Sequence, residues 1–271
     1  MNPPPRRLRL SSGRSLSWVE CGCPTGPVLL YFHGAPGSAL EALVLDEAAR
    51  AQGVRVVAPD RPGIAGSDPE PGRTVGDWVP VVEELARALD LTEVTVLAWS
   101  GGSPYALACA RARPDLVRAV GLVAPLTERE NWLTRLERVS ARPWLATVRV
   151  LTRVSPALIA GAFRLGGGGP RSALLAASLT RALQPGSTGA ATDLAVLGRA
   201  PQPGPIPQPV TIWAGGRDAY ISARQVVSLA RRLGQAQVRF IARATHAQLL
   251  VDHADEIVAA IRGPNWGLNV N

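Results

Sequence analysis

The ten residues Val94-Thr-Val-Leu-Ala-Trp-Ser-Gly-Gly-Ser103 constrain this chain more than any other stretch. The β-branched, apolar run from Glu93 to Trp99 has the composition of a buried parallel strand. It ends on Ser100, and Ser103 to Arg113 follows at once with the composition of a packed helix carrying proline in its first turn. A chain that passes from strand to helix in so few residues must place Ser100 on a strained turn. Side chains two before and two after the serine would then collide with folded backbone, and Ala98 and Gly102 are small enough to avoid this. The pattern is G-x-S-x-G with alanine at its first position, a turn that presents a serine hydroxyl as a nucleophile.

Strands and helices alternate on both sides of this stretch. Leu8 to Glu20 reads as a hairpin turning at Ser11-Ser-Gly-Arg14, and Val28 to Phe32 as a buried strand that ends in the loop His33-Gly-Ala-Pro-Gly-Ser38. Glu41 to Gln52 reads as a helix and Val54 to Ala58 as a strand, followed by the turn-rich loop Pro59 to Asp68. Thr74-Val-Gly-Asp77 resembles a capping box, and Trp78, Val81, Val82, Leu85, Ala86 and Leu89 make the buried stripe of the helix behind it. Val117 to Ala124 is a further strand. The expected fold is therefore α/β, a mainly parallel, doubly wound sheet. From Pro125 the alternation stops. Residues 127–205 read as a helical cap inserted after the sixth major strand, between a first core part, 1–126, and a second, 206–271. Pro201 to Pro209, with five prolines in nine residues, is a stiff return linker. Val210 to Ala214 and Val238 to Ala242 are the last strands; Ser222 to Leu233 is a helix, and Thr245-His246 opens a final helix to Arg262.

Composition narrows the partners. The formal charge is +8 and all 29 basic residues are arginine, scattered without the basic tract or aromatic interleaving of a nucleic-acid groove. Nucleic acid is not an expected partner. Residues 127–200 hold ten arginines and four acids, so most of the surplus sits in the cap. No apolar run approaches the ~20 residues needed to span a bilayer. Arg6, Arg7, Arg9 and Arg14 interrupt any signal-peptide core, so no membrane partner and a cytoplasmic location are expected. Cys21, Cys23 and Cys109 make neither a disulfide framework nor a metal site, so reduced thiols, no metal and no cofactor are expected.

A serine hydroxyl needs a base to take its proton, and that base works best when a carboxylate fixes its tautomer. Ser100, Asp218 and His246 each follow a strand, in the order nucleophile, acid, histidine, so three loops at one sheet edge bring them together. Glu128, after the preceding strand, is the rival acid. His253 reads as a residue on the final helix.

Together these segments resemble the α/β-hydrolase fold family, in particular its capped group with proline iminopeptidase-like, haloalkane dehalogenase-like and esterase-like members. The resemblance is carried by His33-Gly-Ala-Pro-Gly37, Asp60-Arg-Pro-Gly-Ile-Ala-Gly-Ser67, the turn 98–102, Gly216-Arg-Asp218 and Thr245-His246. It implies Ser100 as nucleophile, His246 as general base, Asp218 as orienting acid, and an oxyanion hole from the backbone N–H groups of Ala35 and Gly101. It also implies that His33 is structural. Asp60 and Arg61 read as braces of their loop. Trp99, Trp132 and Trp144 are pocket candidates that could equally be core. The serine departs from the aspartate of the dehalogenases and epoxide hydrolases, and Tyr31, Tyr105 and Tyr220 all lie outside the cap, which disfavours both chemistries. A basic, acid-poor cap suits an aminopeptidase's ammonium substrate badly. The expected activity is a cofactor-independent serine hydrolase acting on a small-molecule ester, thioester or lactone, with the cap's charge favouring an anionic substrate. The alternatives are a non-hydrolytic lyase, cyclase or isomerase using the same pocket, and a ligand-binding receptor.

Overall fold

A computed structural model of the chain describes residues 4–126, 147, 150 and 169–262. Among the described residues, eight strands form one sheet: β1 (Arg6–Arg9), β2 (Ser15–Gly22), β3 (Val28–Phe32), β4 (Arg55–Pro59), β5 (Val94–Trp99), β6 (Val117–Val123), β7 (Val210–Gly215) and β8 (Ala236–Ile241), in the order β1-β2-β4-β3-β5-β6-β7-β8. The β1–β2 and β2–β4 pairs are antiparallel; the pairs from β4 through β8 are parallel. The hairpin and the sheet thus match the sequence reading, and the insertion falls between β6 and β7.

The two-residue period of a strand divides the core between two faces. Along β5, Val94, Val96 and Ala98 pack with α2 (Trp78–Ala88) and α3 (Ser103–Ala112), while Leu97 and Trp99 pack on the opposite face. That opposite face is covered by α1 (Asp46–Ala51) and the C-terminal helices α7 (Gln248–Val251) and α8 (Ala254–Arg262). Trp78, Val81, Val82 and Leu85 are all buried, each stabilising by about 1.5–3 kcal/mol relative to exposure. Between β7 and β8, α6 (Ala223–Leu233) starts from a true capping box in which Ser222 and Gln225 satisfy each other's backbone.

The helix expected from Glu41 begins as a 3₁₀ segment, Ala39–Leu45, every residue of which is buried, and only then becomes α1. The capping box at Thr74 does not form as read. The Asp77 carboxylate accepts from the Thr74 N–H (2.7 Å) and hydroxyl (2.8 Å), but α2 starts at Trp78. Pro80 explains the later start: it fits a first turn, whereas a helix begun at Thr74 would place it inside, without an N–H and against a carbonyl. The final helix is broken at Asp252-His253, so His253 precedes α8, where its imidazole bonds the Glu256 carboxylate (3.3 Å).

Within the expected cap, α4 (Pro170–Ala182) and α5 (Thr188–Gly198) are described; Trp132, Trp144 and Glu128 lie outside the described residues. Helix α5 approaches the core at Gly189, where an added Cβ would stand 1.8 Å from the Gly63 carbonyl oxygen. Gly189→Ala should therefore cost about 1–3 kcal/mol, read as a lower urea midpoint; an unchanged midpoint would show that the seam yields.

Candidate active site

The turn after β5 has the geometry that its small residues allow. Ser100 is half-buried and has φ +51°, in the left-handed region that non-glycine residues rarely enter. It opens a short 3₁₀ turn, Ser100–Gly102, that leads directly into α3. A Cβ on Gly102 would stand 2.3 Å from the Phe32 carbonyl oxygen, so only glycine lets the turn pass the end of β3. A Cβ on Gly101 would stand 2.7 Å from Ala35 Cβ and 3.2 Å from Ala35 N, so the two expected oxyanion residues are immediate neighbours. Among the described residues, no acceptor is paired with the Ala35 N–H.

Asp218 and His246 are joined. His246 Nδ1 lies 2.8 Å from Asp218 Oδ2, and the Asp218 side chain is 1% exposed. The other oxygen, Oδ1, accepts from the Tyr220 N–H (2.8 Å) and Ile221 N–H (3.0 Å), so the turn after β7 fixes the carboxylate before the histidine reaches it. A carboxylate facing Nδ1 places the proton there and leaves Nε2 as the basic nitrogen. His246 packs between two rings, Trp99 at 5.3 Å and Tyr220 at 5.1 Å between centroids, and its carbonyl accepts from the Trp99 indole (3.3 Å). Trp99 directly precedes Ser100, so the histidine sits beside the turn. The Trp99 ring also lies where a Cβ on Gly34 would fall, and it is 8% exposed; these are packing contacts.

The loop between β3 and the 3₁₀ segment is held from below. His33 is buried; its Nδ1–H donates to the Gly34 carbonyl (2.8 Å) and its Nε2 accepts from the Arg61 N–H (3.3 Å). Burial and the Arg61 charge hold its pKa well below the ordinary histidine range, so it stays neutral in this structural position. Asp60 accepts from the Ser17 hydroxyl (2.6 Å) and the Ala39 N–H (2.6 Å), and burial pushes its pKa up. Asp60 and Arg61 thus brace the loop.

Glu41 carries no functional mark in the sequence. Its carboxylate is buried and accepts from the Tyr31 hydroxyl (2.6 Å) and the Gly34 N–H (2.9 Å). Desolvation outweighs both bonds and raises its pKa from 4.5 to about 7. Asp193, Arg73 and Tyr105, likewise unmarked in sequence, join Arg61 in a buried cluster. Of the ten cap arginines, Arg171 bonds Asp255 (2.8 Å) and Arg181 lies 3.7 Å from Asp60; Arg129, Arg135, Arg138, Arg142, Arg149, Arg153 and Arg164 lie outside the described residues. Among the described residues, no group of acids, histidines and cysteines could hold a metal, and no helix is long and apolar enough to cross a membrane.

Comparison with known proteins accords with this geometry. The family model described as alpha/beta hydrolase fold matches residues 27–252. A putative proline iminopeptidase of Mycoplasma pneumoniae is 32% identical over 143 residues, 50% of this chain and 46% of that protein, so the chain spans less than half the length of this relative. Among solved structures, an esterase from Exiguobacterium antarcticum superposes with TM-score 0.75 at 16% identity, covering 97% of this chain and 100% of that one. A thermophilic esterase from Thermogutta terrifontis gives 0.73 at 20% identity, covering 96% and 97%.

Because Glu41 binds its proton more tightly folded than unfolded, its contribution to stability is present below pH 4.5 and is lost as pH rises through about 7. Glu41→Gln should remove this dependence. The wild type should lose of order 3 kcal/mol relative to the variant between pH 4 and 8, read from urea midpoints; parallel curves would contradict the assignment.

Proposed function

The chain belongs to the α/β hydrolase family, and from that premise we propose that it is a cofactor-independent serine hydrolase that cleaves an ester, thioester or lactone through an acyl group on Ser100. The observation that carries this reading is the His246–Asp218 pair at 2.8 Å, packed on the tryptophan that precedes a serine with φ +51°. Ser100 Oγ attacks the acyl carbon while His246 Nε2 takes its proton, and Asp218 stabilises the imidazolium that forms. The N–H groups of Ala35 and Gly101 hold the oxyanion. The tetrahedral species collapses, His246 gives its proton to the departing oxygen or sulfur, and the acyl group stays on Ser100. Water then attacks that ester, His246 acting again as base, and the carboxylic acid leaves with Ser100 restored.

The described part of the cap argues for a neutral or anionic substrate over an amine. Between residues 169 and 205 Asp193 is the sole acid, and its carboxylate is engaged by Arg61 and Arg73, so it cannot hold a substrate ammonium. The arginine surplus of residues 127–200 supports a substrate or product bearing a carboxylate.

Turnover of p-nitrophenyl acetate and butyrate tests the reading. Ser100→Ala should lower kcat by at least about 10³-fold, and Asp218→Asn by a similar order, with folding intact by circular dichroism. Wild-type turnover retained by Ser100→Ala would overturn the assignment.

A further inference from the structure

Arg61 connects the cap to the loop that carries Ala35. Its side chain is 1% exposed, and its donors divide between two edges. Nε and Nη2 bond the Asp193 carboxylate of α5 at 2.7–3.0 Å. Nη1 donates to the His33 carbonyl (2.6 Å), and Nη2 also donates to the Gly34 carbonyl (2.8 Å). A guanidinium is planar and rigid, so seating one edge on a carboxylate aims the other.

The Gly34 carbonyl and the Ala35 N–H belong to one peptide unit, and that unit is planar with the two groups pointing in opposite directions. Fixing the Gly34 oxygen therefore fixes the direction of the Ala35 N–H. Three further contacts converge on the same loop. His33 Nδ1–H shares the Gly34 carbonyl; the Ser38 N–H donates to the Ser178 hydroxyl of α4 (2.8 Å); and the Ser38 hydroxyl donates to the Ser178 carbonyl (3.0 Å). Both described cap helices thus grip the loop, α4 at its far end and α5 through Arg61.

We propose that Asp193 is a positioning residue: through Arg61 it orients the Gly34–Ala35 peptide, so that docking of the cap sets the oxyanion donor. The inference rests on the reading that the Ala35 N–H holds the oxyanion. Asp193 is suited to this because it also binds Arg73 (2.7 Å) and the Tyr105 hydroxyl (2.8 Å), and Arg73 donates in turn to the Tyr105 oxygen (2.6 Å). One buried carboxylate, 2% exposed, faces two buried guanidinium groups. Without its charge the two arginines repel in a medium of low dielectric constant, and Arg61 loses the edge that aims it.

A cap–core ion pair that served attachment alone would behave differently, and Arg171 provides that comparison, because it ties α4 to Asp255 with no contact to the loop. The experiment measures kcat and KM for p-nitrophenyl acetate, and the rate of labelling by a fluorophosphonate, in the wild type, Asp193→Asn, Arg61→Lys and Arg171→Ala. Lysine keeps the charge that pairs with Asp193 but cannot span both carbonyls. Both Asp193→Asn and Arg61→Lys should lower kcat and the labelling rate by about 10- to 100-fold, with KM within about threefold, while Arg171→Ala stays within about twofold. If Asp193→Asn fails to fold by circular dichroism, Arg61→Lys decides. Wild-type labelling rates in the folded variants, or a loss confined to KM, would overturn the positioning role while leaving the serine reading intact. A wild type that is neither labelled nor active would overturn both.

Discussion

At Gly102 the backbone passes so close to the end of β3 that a single methyl group would meet the Phe32 carbonyl at 2.3 Å. The candidate site depends on this approach. In the sheet Phe32 pairs with Ala98, so β3 and β5 end side by side, and the loops that leave them must share one space. The turn at Ser100 uses that space by adopting a left-handed backbone, and Gly101 comes to rest against Ala35. Because β5, β6, β7 and β8 run parallel, the loops after β5, β7 and β8 emerge on the same edge, and the His246–Asp218 pair lies against Trp99, the residue before the serine. Local strain at one residue is compensated by packing throughout the two core layers.

The seam between cap and core follows a different logic. Burying Arg61, Arg73 and Asp193 takes three charges out of water, which is costly, and apolar residues of similar size could pack as tightly. What an apolar seam lacks is direction. The guanidinium of Arg61 reads two carbonyl positions on the loop and one carboxylate on α5, so the register of the cap against the core is tied to the shape of the loop. The close contact of Gly189 with Gly63 sets the distance over which this can happen. Glu41 acts on the same loop from within the core, through the Gly34 N–H.

The strands were legible because a parallel sheet buries both faces and writes itself as short β-branched, apolar runs; β3, β5 and β6 fall within a residue of the spans read from them. Ser100, Asp218 and His246 could be named together because each follows a strand, and the structure joins the last two. Other features depend on residues distant in sequence. Asp193 and Arg61 are 132 positions apart, and nothing in either neighbourhood announces the other. Glu41 looks like a solvent-facing helix residue; it is buried because the segment that holds it is a 3₁₀ turn packed on all sides. At Thr74 the cap signal was visible but Pro80 shifted the helix start, and at His253 a break without glycine or proline left no mark in the pattern.

Activation of one serine by one histidine can be read from mapping fluorophosphonate adducts with peptide mass spectrometry in the wild type and in His246→Asn. A single adduct on Ser100 is expected in the wild type, and at least about a 10³-fold slower reaction in the variant. An adduct on another residue, or equal labelling of Ser100 with and without His246, would contradict it.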